Sequence, residues 1–182
     1  MNSSEKIIEQ TKKWINDVVI GCNFCPFAAK VIRQKTVQYR VAEKITSALC
    51  MVLMLEEMNR LDKDMNIETS FLIFPDSFGD FNEYLKLVDE GEKLIKKNGY
   101  EGIYQLASFH PLYRFADSLE NDAADYTNRS VYPMLHLLRE KSIQKALLHY
   151  ENPESIPAVN INFTRKKGQA YLKMLRDACL ND

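Results

Sequence analysis

The segment Thr69-Ser70-Phe71-Leu72-Ile73-Phe74, closed by Pro75, constrains this chain more than any other. Consecutive side chains of a strand point to opposite faces of its sheet. A strand carrying Phe71, Leu72, Ile73 and Phe74 in a row is therefore covered on both sides, as central strands are. Cover on both faces needs helices, and the flanking sequence supplies them. Glu43 to Leu61 reads as one helix, with Ala48 to Leu55 apolar nearly all round and so expected deep in the core. Phe81, Tyr84, Leu85, Val88 and Ile95 mark a second, closed by Lys96, Lys97 and Gly99.

Three other strands can join the central one. Thr36 to Val41 alternates through Val37, Tyr39 and Val41, and Gly102 to Phe109 forms a third. Met134 to Leu138 reads two ways: a helix would put His136, Arg139 and Glu140 on one polar face, and a strand would put His136 on one face with Met134 and Leu138; the break of apolar phase at Arg139-Glu140 favours the strand. An N-terminal helix runs from about Ser4 to Ile20 with Gly21 at its C-cap, and a short one follows Pro26 to about Arg33. Ser142 to His149 is expected to be helical. So is Ile156 to Leu180, with Phe163, Ala170, Tyr171, Met174 and Ala178 inward. The strand–helix–strand units call for parallel neighbours, and the last strand returns antiparallel. The expected fold is mixed α+β: about four strands in a mixed sheet with flanking helices, a ferredoxin-like variant being one such arrangement. One domain over residues 1–182 suits this length.

Composition narrows the function classes. Lys and Arg number 24 against 25 Asp and Glu, a balance that argues against a dedicated nucleic-acid partner. The Ala48–Leu55 run is far shorter than the ~20 residues of a membrane span. The N-terminus lacks the charged, apolar, small-residue order of a secretory signal, so a cytoplasmic location is expected. Four cysteines and three histidines leave little room for a disulfide framework or a metal centre, and no cofactor motif is present. The sequence does not fix an oligomeric state.

Three segments could carry chemistry. Cys22-Asn23-Phe24-Cys25 has dithiol spacing, and Pro26 could place Cys25 at a helix N-terminus, where thiolate is favoured. A lone reactive Cys25, and one buried with one incidental cysteine, are the competing readings. His110 ends a strand and precedes Pro111, where α/β proteins bind ligands, and it suits a general base or a loop-capping imidazole. Tyr126-Thr127-Asn128-Arg129-Ser130 offers a guanidinium for a carboxylate or phosphate, with Asn128 and Ser130 to orient it, or simply a turn. His136 could wall the same cleft or sit in the core. His149 and Arg165-Lys166-Lys167 read as ordinary helix surface, and Asp76 and Asp80 as caps of the helix that follows. The loop from Pro111 to Val131 is long enough to suggest function.

The segment 21–28, the Phe109-His110-Pro111 turn and above all the run from Asp125 to Glu140 resemble the bacterial domain-of-unknown-function family numbered 1415. The resemblance extends over nearly the whole chain and implies no particular activity or cofactor. Members often carry leucine at the position of Cys22 and cysteine at that of Cys25. That difference favours Cys25 acting singly or structurally.

These features together suggest an enzyme, a hydrolase or group transferase, acting on a small anionic metabolite. Cys25 would be its nucleophile, His110 its base and Arg129 its anion clamp, with Tyr126, Asn128, Ser130 and His136 lining the cleft. The alternative is a ligand-binding or regulatory module without chemistry. A third reading is an interaction protein that meets a partner through the tyrosine-rich loop.

Overall fold

The computed structural model describes residues 3–148 and 150–181, so His149 lies outside the described residues. Four strands form one mixed sheet: β1 (Val37–Val41), β2 (Thr69–Ile73), β3 (Tyr104–Phe109) and β4 (Met134–Arg139), in spatial order β1-β2-β4-β3. β1 and β2 are parallel, with Tyr39 opposite Phe71, and β4 runs antiparallel to both β2 and β3. The returning strand thus inserts between β2 and β3. Those two strands, the helix that joins them and β4 make a split βαβ unit, the element shared with ferredoxin-like folds. β1 lies parallel beside it.

Among the described residues there are seven α-helices, six of which lie on the two faces of the sheet. α1 (Ser3–Trp14), α2 (Ala28–Gln34), α6 (Ile156–Lys167) and α7 (Gln169–Asp177) lie on the first face, around a core of Trp14, Val18, Phe71, Ile73, Met134 and Leu172. α3 (Ser47–Lys63) and α4 (Phe81–Lys97) cover the second face, packing Met54, Met58, Tyr84 and Leu87 on Leu72, Phe74, Leu135 and Leu137. α5 (Glu140–Leu147) follows β4 directly. The alternation of β2 therefore feeds two cores, Phe71 and Ile73 on one side and Leu72 and Phe74 on the other. The Thr46 hydroxyl caps α3 by accepting from the Leu49 N–H, and Asp80 caps α4 by accepting from Asn82 and Glu83. Asp76 instead accepts from the Lys44 N–H.

Several elements depart from the sequence expectation. The first helix does reach Ile20, but Ile15–Ile20 is π-helical. Gly21 ends it with right-handed φ of −61° rather than as a left-handed cap. A Cβ there would lie 2.3 Å from the Asp17 carbonyl oxygen, so glycine lets the widened turn close. α3 is not buried all round: Leu49 and Val52 are 45% and 49% exposed. A helix lying on a sheet buries one stripe, here Cys50, Met54, Met58 and Leu61, and its outer side stays wet. The C-terminal helix breaks at Gly168, whose φ is 80°. The break resets the helical phase, so Thr164, Leu172 and Cys179 are buried while Met174 is 60% exposed.

Candidate functional site

The roots of the long loop meet as antiparallel pairing of β3 and β4 requires. Phe109 stands opposite Met134, the His110 N–H donates to the Asn128 carbonyl at 3.2 Å, and Asn128 Nδ2 donates to the Ser108 carbonyl at 3.1 Å. Between the strand ends sits the Tyr84 hydroxyl. It accepts from the Phe109 N–H at 2.9 Å and donates to the Met134 carbonyl at 2.8 Å, bridging a pair that would otherwise bond directly.

His110 is fully buried on the second face, against Phe81 and Tyr84. Its Nδ1 accepts from the Leu112 N–H at 3.0 Å, so Nε2 carries the proton and donates to the Phe78 carbonyl at 2.9 Å. Burial lowers its pKa, opposed by the Phe78 carbonyl and Asp80. A neutral imidazole with both nitrogens engaged holds the loop root, and neither nitrogen is left for a substrate proton.

The Arg129 side chain is held within the loop. Its Nε donates to the Tyr113 carbonyl at 2.9 Å, and its terminal nitrogen reaches the buried Asp125 carboxylate at 3.2 Å. Asp125 also accepts from the Phe115 N–H. The Arg129 guanidinium lies 4.8 Å from the Tyr126 ring centre, and Arg176 lies 5.6 Å from it while donating to the Pro111 carbonyl. Asp122 accepts from Arg165, which depresses the carboxyl pKa. The Arg165 group is therefore a loop anchor rather than plain helix surface. The Ser130 hydroxyl donates to the Tyr132 carbonyl, as in a turn. The loop is a stapled 3₁₀ turn, Ala123–Thr127, and Arg129 is one of its staples.

Cys25 is half-buried against the first-face core, and its carbonyl accepts from the Ala28 N–H at the start of α2. Cys22 is buried, and burial raises its thiol pKa. Both are free thiols. Cys25 and His110 pack into cores on opposite faces of the sheet, so the proposed nucleophile and base do not meet.

His136 is placed differently. Tyr39, Phe71 and His136 are directly paired positions on β1, β2 and β4, and their rings form a ladder across the first face. Tyr39 and Phe71 stack at 5.8 Å and 7°, Phe71 and His136 at 3.7 Å and 10°. The Thr69 hydroxyl donates to the Leu137 carbonyl at 2.5 Å, so its contact with His136 Nε2, also 2.5 Å, is a bond it accepts. The proton therefore sits on Nε2. Among the described residues none bonds Nδ1, and the imidazole as a whole is half-buried. Burial lowers the His136 pKa to about 3 and keeps the ring neutral. Beside it, Ala107 is half-buried and Gln105 exposed. Lys12 of α1 sits 5.6 Å from the Tyr39 ring centre and pairs with Glu9.

A family model described as a protein of unknown function (DUF1415) matches residues 6–174. The chain belongs to that family. The DUF1415 match takes in the sheet, the stapled loop and the ring ladder. No curated protein and no solved structure matches the chain. Among the described residues no helix is long and apolar enough to cross a membrane, and no group of three or more His, Cys, Asp or Glu could hold a metal ion.

Sequence reasoning named His136 but missed Tyr39, Phe71 and Thr69 as its neighbours. Period-2 alternation places each of them on some face of a strand. Only the strand register brings them side by side.

Proposed function

We propose that this DUF1415 chain is a non-catalytic binding protein for a small, planar, anionic molecule, held on the open part of the first sheet face beside His136. The observation that carries this is a neutral imidazole fixed on its Nε2 side by Thr69, with Nδ1 unbonded among the described residues. Such a nitrogen accepts a proton-bearing N–H or O–H group. The half-buried rings of Tyr39 and His136, on either side of the buried Phe71, supply aromatic edges for a flat ring, and Lys12, paired with Glu9, supplies a positive charge over Tyr39 at the β1 end. The chemistry expected of a ligand is therefore an aromatic ring with one donor group and one anionic substituent. Four free thiols suit a reducing compartment, which supports a cytoplasmic place. The hydrolase or transferase reading asks Cys25, His110 and Arg129 to act at one point, whereas His110 and Arg129 are engaged in holding the loop and Cys25 packs on the first-face core.

Titration with hydroxybenzoates, followed by calorimetry, tests the proposal. The protein is expected to bind at least one, and His136→Phe, which preserves the ring stack, to weaken that binding about two- to tenfold, the value of one hydrogen bond. Equal binding by the two proteins would place the ligand elsewhere.

A further inference from the structure

Thr69 opens β2 two residues before Phe71, and its side chain shares the first face with that of Phe71. Phe71 is paired with His136, so Thr69 is the diagonal neighbour of the imidazole across β2 and β4, 4% exposed. Branching at Cβ restricts the rotamer of a threonine in a strand and holds its hydroxyl in one direction.

A hydroxyl has one proton to give and lone pairs to receive. The Leu137 carbonyl can only accept, and at 2.5 Å it takes that proton. What Thr69 then turns to His136 is a lone pair, 2.5 Å from Nε2. With its proton on Nδ1, the imidazole would set a second lone pair against the first at that distance. The Nε2 tautomer replaces this repulsion with a hydrogen bond. The backbone of β4 thus fixes the hydroxyl, the hydroxyl fixes the tautomer, and the tautomer leaves Nδ1 as an acceptor.

An acceptor at Nδ1 sorts ligand groups by their hydrogen-bonding sign. A phenol or an N–H completes a hydrogen bond there, while a carboxylate or carbonyl oxygen brings lone pair against lone pair. A polar group left facing the wrong partner loses more than a hydrogen bond gains, which makes this kind of discrimination stronger than discrimination by shape. For an anionic ligand the same rule sets the direction of binding. Its donor lies at His136 on β4, and its negative charge lies away from Nδ1, toward Lys12 over Tyr39 on β1.

We infer, resting on the ligand site proposed above, that Thr69 is the positioning residue that sets its specificity, acting through the His136 tautomer to admit a hydrogen-bond donor and turn away an acceptor.

Nitrogen NMR of the ligand-free protein and calorimetry with a matched pair of benzoates test this. 4-Hydroxybenzoate offers a donor opposite its carboxylate, and 4-formylbenzoate only an acceptor. The wild type is expected to hold the His136 proton on Nε2 and to prefer the hydroxyl compound about fivefold or more. Thr69→Val keeps the shape of the side chain and removes the hydroxyl. In it the proton is expected to move toward Nδ1, and the preference to vanish or reverse. Thr69→Ala gives the same readout should valine disturb the strand. Thr69→Ser returns the hydroxyl and is expected to restore both the tautomer and the preference, which a merely structural threonine would not do. A wild type that binds both benzoates alike, or a preference that survives in Thr69→Val and Thr69→Ala, would overturn the role of Thr69 and leave the binding reading standing. A wild type that binds neither compound overturns the inference as well, and one that binds no hydroxybenzoate at all overturns the binding reading with it.

Discussion

Acidification should weaken this protein through His136, by an amount the structure sets. Burial lowers the folded-state pKa from 6.5 to about 3. Between those values the unfolded chain binds a proton that the native state does not, so stability rises with pH and is lost on acidification. From pH 7 to pH 5 the unfolded imidazole becomes almost fully charged while the native one stays neutral, a difference of about 2 kcal/mol. His136→Phe keeps the stack on Phe71, and Thr69 keeps its bond to the Leu137 carbonyl, so the variant leaves no orphaned group. Urea unfolding of both proteins at pH 7 and pH 5 reads the effect. With a slope of roughly 2 kcal/mol/M, the wild-type midpoint should fall about 1 M further than that of the variant. His110, whose pKa is also lowered by burial, contributes in the same direction to both proteins and cancels. Equal losses would mean that His136 titrates normally and that its neutral, one-sided setting is wrong.

Other changes separate structural from binding roles. Arg129→Met strands the buried Asp125 carboxylate and should cost about 3 kcal/mol by chemical unfolding, with faster proteolysis of 112–127; unchanged stability would return Arg129 to the ligand side. Tyr84→Phe leaves the Phe109 N–H and the Met134 carbonyl without their bridge, about 1–3 kcal/mol for each group that stays unpaired. Hydrogen exchange at the Phe109 amide should speed up accordingly, and unchanged exchange would show that the strands close directly. Cys22→Leu should change stability by less than about 1.5 kcal/mol, with the same result under reducing conditions, since Cys22 acts as a buried apolar side chain.

Much of the fold was legible because its signals are local. The run 71–74 announced a strand buried on both faces, and the strand form of Met134–Leu138 followed from one break in apolar phase. The antiparallel return of β4 placed the loop roots together as topology demands. The misreadings came from effects beyond a single period. The exposed side of α3 depends on what lies opposite it, and the phase of α7 depends on the turn at Gly168. The site was less legible for the same reason. Arg129 looked available until Asp125, four residues earlier, and the Tyr113 carbonyl were seen to hold it. His110 looked like a base until the Phe78 carbonyl was found on its Nε2. The ring ladder joins positions 39, 71 and 136 through strand register alone, which no local pattern encodes.

Nitrogen NMR of the histidine rings tests the central claim most directly. At pH 7 the account predicts a neutral His136 with its proton on Nε2 and a bare Nδ1, and a His110 ring of the same tautomer. Adding a hydroxybenzoate should move the His136 Nδ1 resonance and leave both His110 nitrogens in place. A charged His136 at that pH, or a ligand that shifts His110 or the Arg129 side chain while His136 stays still, would contradict it.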